Sequence, residues 1–110
     1  MVFFSKNKKS EQEDLADNQL RIGFQVYTLE ENFLRIRTET KKGKLISEDS
    51  INYGRINSVN HRNAGPGANI VEINVADEKK SFLNRGFMYK KKVAGDSVTN
   101  FIEKLNKKLN

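Results

Sequence analysis

Cysteine is absent from this 110-residue chain, which excludes a disulfide framework, a thiolate nucleophile and any cysteine-ligated zinc or iron–sulfur centre. Histidine occurs once, at position 61, too little for the clusters that metal sites and acid–base pairs need. No run approaches the roughly 18 apolar residues of a membrane span, and Val2-Phe3-Phe4 falls short of the roughly 7–15 residues of a secretory apolar core. Position 2 is valine, whereas N-myristoylation requires glycine there. The expectation is a cytoplasmic protein with no cofactor, no metal and no enzymatic activity. The sole proline, Pro66, lies between Gly65 and Gly67. Position 70 is isoleucine where a dinucleotide fingerprint would need glycine, so Asn63–Asn69 reads as an exposed loop rather than a phosphate cradle.

What is present is a globular composition, 36% apolar and 31% charged, of a length that builds one domain. Folding at this size hides roughly two-thirds of the chain's surface, enough for one core but not for an elaborate internal cavity as well. The formal net charge of +6 is unevenly distributed. Lys6, Lys8 and Lys9 are nearly balanced by Glu11, Glu13, Asp14 and Asp17. From residue 85 onward, Arg85, Lys90, Lys91, Lys92, Lys104, Lys107 and Lys108 oppose only Asp96 and Glu103. Such an electropositive end favours an anionic partner: nucleic acid, an acidic protein or a membrane surface. The competing reading is a solvated lysine-rich face.

Residues 1–18 form a polar lead-in in which Ser10 and Glu13 suit the cap of a short helix, and residues 19–110 form the domain. Leu20, Ile22, Phe24 and Val26 alternate with polar neighbours as one half-buried strand, and Leu34, Ile36 and Thr38 as a second, with Glu30-Glu31-Asn32 as the turn between. Lys41-Lys42-Gly43-Lys44 is a basic loop before the apolar pair Leu45-Ile46. The phase slips between Ile51 and Val59, which places a turn or bulge near Gly54. Val71, Ile73 and Val75 alternate again, reverse through residues 77–79, and pair with Lys80–Tyr89, whose inward face stays undecided between Ser81/Leu83/Phe87 and Phe82/Met88. Val98, Phe101, Ile102, Leu105 and Leu109 then share one stripe of a helix with Asp96 as its N-cap after Gly95. The expected class is mainly β: six to seven antiparallel strands followed by a C-terminal amphipathic helix.

The segment Ile51-x-Tyr53-x-x-Ile56-x-Ser58-Val59 resembles the I-x-Y-x-x-I-x-S-V segment of small bacterial pleckstrin-homology-like domains, and the layout from about Leu20 to Leu109 is similar to theirs. The resemblance implies a barrel-like sandwich capped by the helix, serving as an interaction module for a protein or an anionic surface. Lipid-binding members of the wider superfamily gather basic residues between the first two strands; Glu30-Glu31-Asn32 in that place argues against the familiar phosphoinositide pocket.

Arg85-Gly-Phe87-Met-Tyr89-Lys90-Lys91-Lys92 interleaves aromatics with cations, as single-stranded nucleic-acid binders do. It raises a second reading, a small β-barrel binding RNA or single-stranded DNA through Arg85, Phe87, Tyr89, Lys90, Lys91, Lys92 and the helix lysines 104, 107 and 108. The structural alternative places Phe87 and Tyr89 inside as residues of the last strand. His61 reads as a loop or edge residue. The acidic cluster Glu11–Asp17 has too little apolar company to raise a carboxylate pKa for acid catalysis. The sequence leaves open whether the chain acts alone or as a homo-oligomer.

Overall fold

A computed structural model describes residues 16–77 and 81–110, with the side chains of 81–83 outside the description. Among the described residues seven antiparallel strands form two sheets, and a helix closes the chain. The first sheet is built in sequence order from β1 (Gln19–Ile22), β2 (Gln25–Leu29), β3 (Phe33–Glu39) and β4 (Leu45–Asn52). A 3-10 turn at Tyr53–Arg55 leads into the second, β5 (Ile56–Gly65), β6 (Ala68–Asp77) and β7 (Ser81–Lys90). The helix α1 spans Lys91–Leu109. Among the described residues the two sheets share no hydrogen-bonded ladder.

The inner faces carry the core. Leu20, Tyr27, Leu34, Ile36 and Ile51 come from the first sheet, Val71, Ile73, Val75 and Tyr89 from the second. From α1 come Ala94, Val98, Phe101, Ile102 and Leu105, so the expected stripe is the buried one. The helix packs against both β1 and β7, filling the open side between the edges of the two sheets. Its ends differ in support: Lys104 Nζ donates to the Asp17 carbonyl at 2.7 Å, and the Lys91 N–H donates to the Gly67 carbonyl at 2.9 Å.

The segment Leu20–Tyr27 is not one strand. Gly23 has φ +60°, a left-handed conformation that glycine adopts at no steric cost, and the chain reverses there so that β2 folds back on β1. Phe24 therefore stands at a turn, exposed, and the residue facing the core is Tyr27 rather than Val26. Val26 is nevertheless buried on the outer face, where the register places it between Arg21 and Arg37. Long side chains on either side account for its covering. The same face holds an ion-pair array in which Glu39 meets Arg21 at 2.8 Å and Arg37 at 3.7 Å, and Glu48 meets Arg37 at 3.5 Å.

Splitting the first strand moves every later connection by one place. Glu30-Glu31-Asn32 joins β2 to β3, and the basic loop Thr40–Lys44 joins β3 to β4. The acidic turn is thus the second connection and not the first, which is Gly23-Phe24. The glycine-flanked segment is also narrower than expected. Both strands run on into it, and only Pro66-Gly67 separates β5 from β6, because Asn63 and Asn69 still pair.

The phase slip near Gly54 corresponds to the 3-10 turn. Pairing of Val71 with Phe87 and of Ile70 with Met88 resolves the register of β7, with Phe87 toward the core and Met88 outward. The helix starts five residues before its expected cap: Asp96 and Gly95 are interior positions. Packing overrides the local signal, since Ala94, one turn before Val98, is buried. The proposed Ser10 cap lies outside the described residues.

Candidate functional site: a lysine-rich end

Antiparallel order places the β1–β2 turn and the β3–β4 loop at the same end of the first sheet. The Glu39 N–H donates to the Phe24 carbonyl at 2.8 Å, which holds the turn against the end of β3. Beside it, Arg21, Ile22 and Gly23 face Lys90, Val93 and Ala94 across a cleft of about 120 Å³. The β5–β6 hairpin joins the same end through the bond from Lys91 to Gly67. Two sets of lysines distant in sequence, 41, 42 and 44 and then 90, 91 and 92, are brought to one end of the molecule. All six are exposed, and among the described residues none enters an ion pair. The first turn of α1 contains no acidic residue. Lys91 and Lys92 therefore meet the positive end of the helix dipole, the opposite of the favourable arrangement.

The other candidates are placed differently. Arg85 is engaged by Asp49, Nη1 to Oδ2 at 2.5 Å, a contact that ties β7 to β4. Phe87 packs against Tyr27, ring centroids 5.0 Å apart. Tyr89 is 6% exposed; its hydroxyl shares a hydrogen bond with His61 Nε2 and accepts one from Asn69 Nδ2 at 3.2 Å. A ring held in that way has no free face for a base to stack on. His61 is the side chain that anchors this phenol at the rim of the core. Lys104, Lys107 and Lys108 lie toward the far end of α1, about 20 Å from Lys92 at 1.5 Å of rise per residue. They line a hollow with Asn18 and Leu29, so the basic candidates form two groups and not one patch.

The cleft's volume of about 120 Å³ is small against the roughly 300–1,000 Å³ of small-molecule sites. Among the described residues no three His, Asp or Glu side chains come together as a metal site would need. The two perturbed tyrosines owe their shifts to the fold. Burial pushes Tyr27 up to about 12, with Arg85 pulling it down, and burial together with Glu30 raises Tyr53 to about 12. The Tyr53 hydroxyl donates to the Glu30 carbonyl at 2.6 Å, which fastens the 3-10 turn to the β2–β3 turn. No described helix is long and apolar enough to cross a membrane.

In the sequence the basic loop and Lys90–Lys92 stand apart with nothing to join them, and alternation alone sets Phe24 inside. The available signal was Gly23: a glycine within an alternating strand marks a bend or bulge, and a bend there exposes the residue after it. Comparison of the chain with protein-family models, with curated proteins and with solved structures finds no match.

Proposed function

We propose that the protein is a non-catalytic interaction module of the pleckstrin-homology-like kind, its two sheets forming the halves of a barrel-like sandwich that α1 caps, and that it engages an anionic partner at its lysine-rich end. The observation that carries this reading is the convergence of six lysines from the β3–β4 loop and the start of α1 that enter no ion pair among the described residues. Cations left without counter-charges concentrate anions and steer their approach. The lysines at the far end of α1 support it less, because Lys104 is spent on a backbone carbonyl in a region that also contains Asp17, Glu30 and Glu31.

The nucleic-acid reading relied on Phe87 and Tyr89 as a stacking platform, and both rings pack inward. It persists only as an electrostatic version of the same site. The test is a parallel salt titration of binding to anionic vesicles, RNA and single-stranded DNA, using the wild-type chain and two triple variants, Lys41/Lys42/Lys44→Gln and Lys90/Lys91/Lys92→Gln. Salt-sensitive binding that both variants weaken is expected. Binding that neither variant changes would remove the site, and turnover lost on His61→Ala would remove the non-catalytic reading.

A further inference from the structure

The lysine-rich end is also where apolar side chains reach solvent. Phe24 is 53% exposed, Leu45 45%, Ile46 63% and Val93 58%. Scattered exposed hydrophobics need no explanation, but these lie together. Phe24 and Ile46 line one open groove of about 310 Å³ along with Lys41, Leu45 adjoins it in sequence, and Val93 stands on the neighbouring cleft with Gly23 and Lys90. Two turns and a helix start thus present a band of large apolar residues interleaved with lysines. The one carboxylate in the groove, Glu39, is buried and held by Arg21 and Arg37, so it opposes the surrounding positive charge very little.

We propose that this end docks on an anionic lipid bilayer, with Phe24, Leu45 and Ile46 entering the boundary between headgroups and acyl chains while Lys41, Lys42 and Lys44 meet lipid phosphates. The proposal rests on the anionic-partner reading above and names the partner. Charge complementarity requires a polyanion; the apolar band decides which one. Nucleic acid offers phosphates to lysines and bases to flat rings, yet Leu45, Ile46 and Val93 provide no ring, and Phe24 is the single aromatic among the exposed large hydrophobics of the described residues. A bilayer takes up aliphatic and aromatic groups alike just below a layer of negative charge. Lysine stems suit that depth, since they run along apolar surface while the ammonium stays with the phosphates. The groove is open, so it reads surface charge and packing of the bilayer instead of enclosing one headgroup.

The experiment uses the full chain carrying Phe24→Trp, which becomes its only tryptophan. Phosphatidylcholine vesicles containing phosphatidylglycerol should shift the emission to the blue, and brominated acyl chains should quench it; phosphatidylcholine alone should do neither. In co-sedimentation, Lys41/Lys42/Lys44→Gln should lower partitioning on the order of 100-fold, at about fivefold per lysine near an anionic surface. Phe24→Ser and Ile46→Ser should each lower it about tenfold, from the apolar area withheld from the membrane, without moving the melting temperature. Loss with the lysine variant but none with the serine variants, and an unshifted tryptophan, would overturn insertion while leaving the anionic-partner reading intact. Tighter binding to single-stranded RNA than to vesicles, with the tryptophan still in water, would overturn the bilayer and transfer the site to nucleic acid. Insensitivity to the lysine variant would overturn both.

Discussion

Arg85 on β7 reaches Asp49 on β4, Nη1 to Oδ2 at 2.5 Å, and so joins the two sheets, which share no ladder among the described residues. The same guanidinium lowers the pKa of the Tyr27 hydroxyl, against the larger effect of burial. Asp49→Asn should therefore leave Arg85 uncompensated beside Tyr27 and bring the tyrosine's titration below about 12. Spectrophotometric titration of tyrosine absorbance in the two proteins checks this, and identical curves would detach Arg85 from Tyr27. The stability cost of the substitution should be small, about 1 kcal/mol or less for a partly exposed pair.

Alkaline stability follows from Tyr27 itself. Its folded pKa of about 12 lies above the ordinary value of 10.0, so the folded state keeps its proton where the unfolded chain has lost it. The contribution is fully present below pH 10 and disappears as the pH rises through about 12, because the unfolded state then binds fewer protons than the native one. Tyr27→Phe should flatten the decline between those values when urea denaturation is followed across the range. An equally steep decline in the variant would place its origin elsewhere.

The helix is fixed to the core by Phe101, buried and in edge contact with Tyr27, centroids 6.3 Å apart. Phe101→Ala should cost about 3–5 kcal/mol, a large share of the stability of a domain this small. Thermal or chemical denaturation measures it; a melting point that hardly moves would contradict the packing of α1.

Gly95 separates the two placements of the helix start. It lies inside α1 with only Lys91 Cβ, at 4.0 Å, near the position an added Cβ would take. Gly95→Ala should raise stability by about 0.5–1 kcal/mol, as an interior helical glycine replaced without strain does. A destabilised variant would argue for a chain that becomes helical only at Asp96.

Gly86 should behave in the opposite way. Its φ is +154°, and an added Cβ would fall against the Val71 carbonyl of the neighbouring strand. Gly86→Ala should lose more than the about 1–3 kcal/mol of a forced backbone conformation, because the clash adds to the strain, whereas Gly43→Ala in the open β3–β4 loop carries only the backbone strain of φ +85°. Equal melting points for the two variants would rule out the close approach of β6 and β7.

Much of this architecture could be read from local pattern. Leu34 and Ile36, and Val71, Ile73 and Val75, alternate because one face of a strand is buried and the other is not. The spacing from Val98 to Leu105 marks a helix because side chains at three and four residues share a face. Such periodicities depend on one element and its own burial, so the sequence determined them. It also excluded disulfides and thiol chemistry, since no fold makes up for absent cysteine. Tertiary structure alone decided the rest. Whether β1 continued through Phe24 or turned at Gly23 depended on a partner strand for the reversed segment. The start of α1 depended on burial of Ala94 beside β7, a gain that a propensity for Asp96 as cap could not outweigh. Strand alternation already allowed Phe87 and Tyr89 to point inward, but the hydrogen bonds of the Tyr89 hydroxyl to His61 and Asn69, residues of other strands, came only with the assembled sheet. The lysines at 41–44 and at 90–92 are separated by nearly half the chain, and only the return of each antiparallel strand to the same end brings them together around Phe24, Ile46 and Val93.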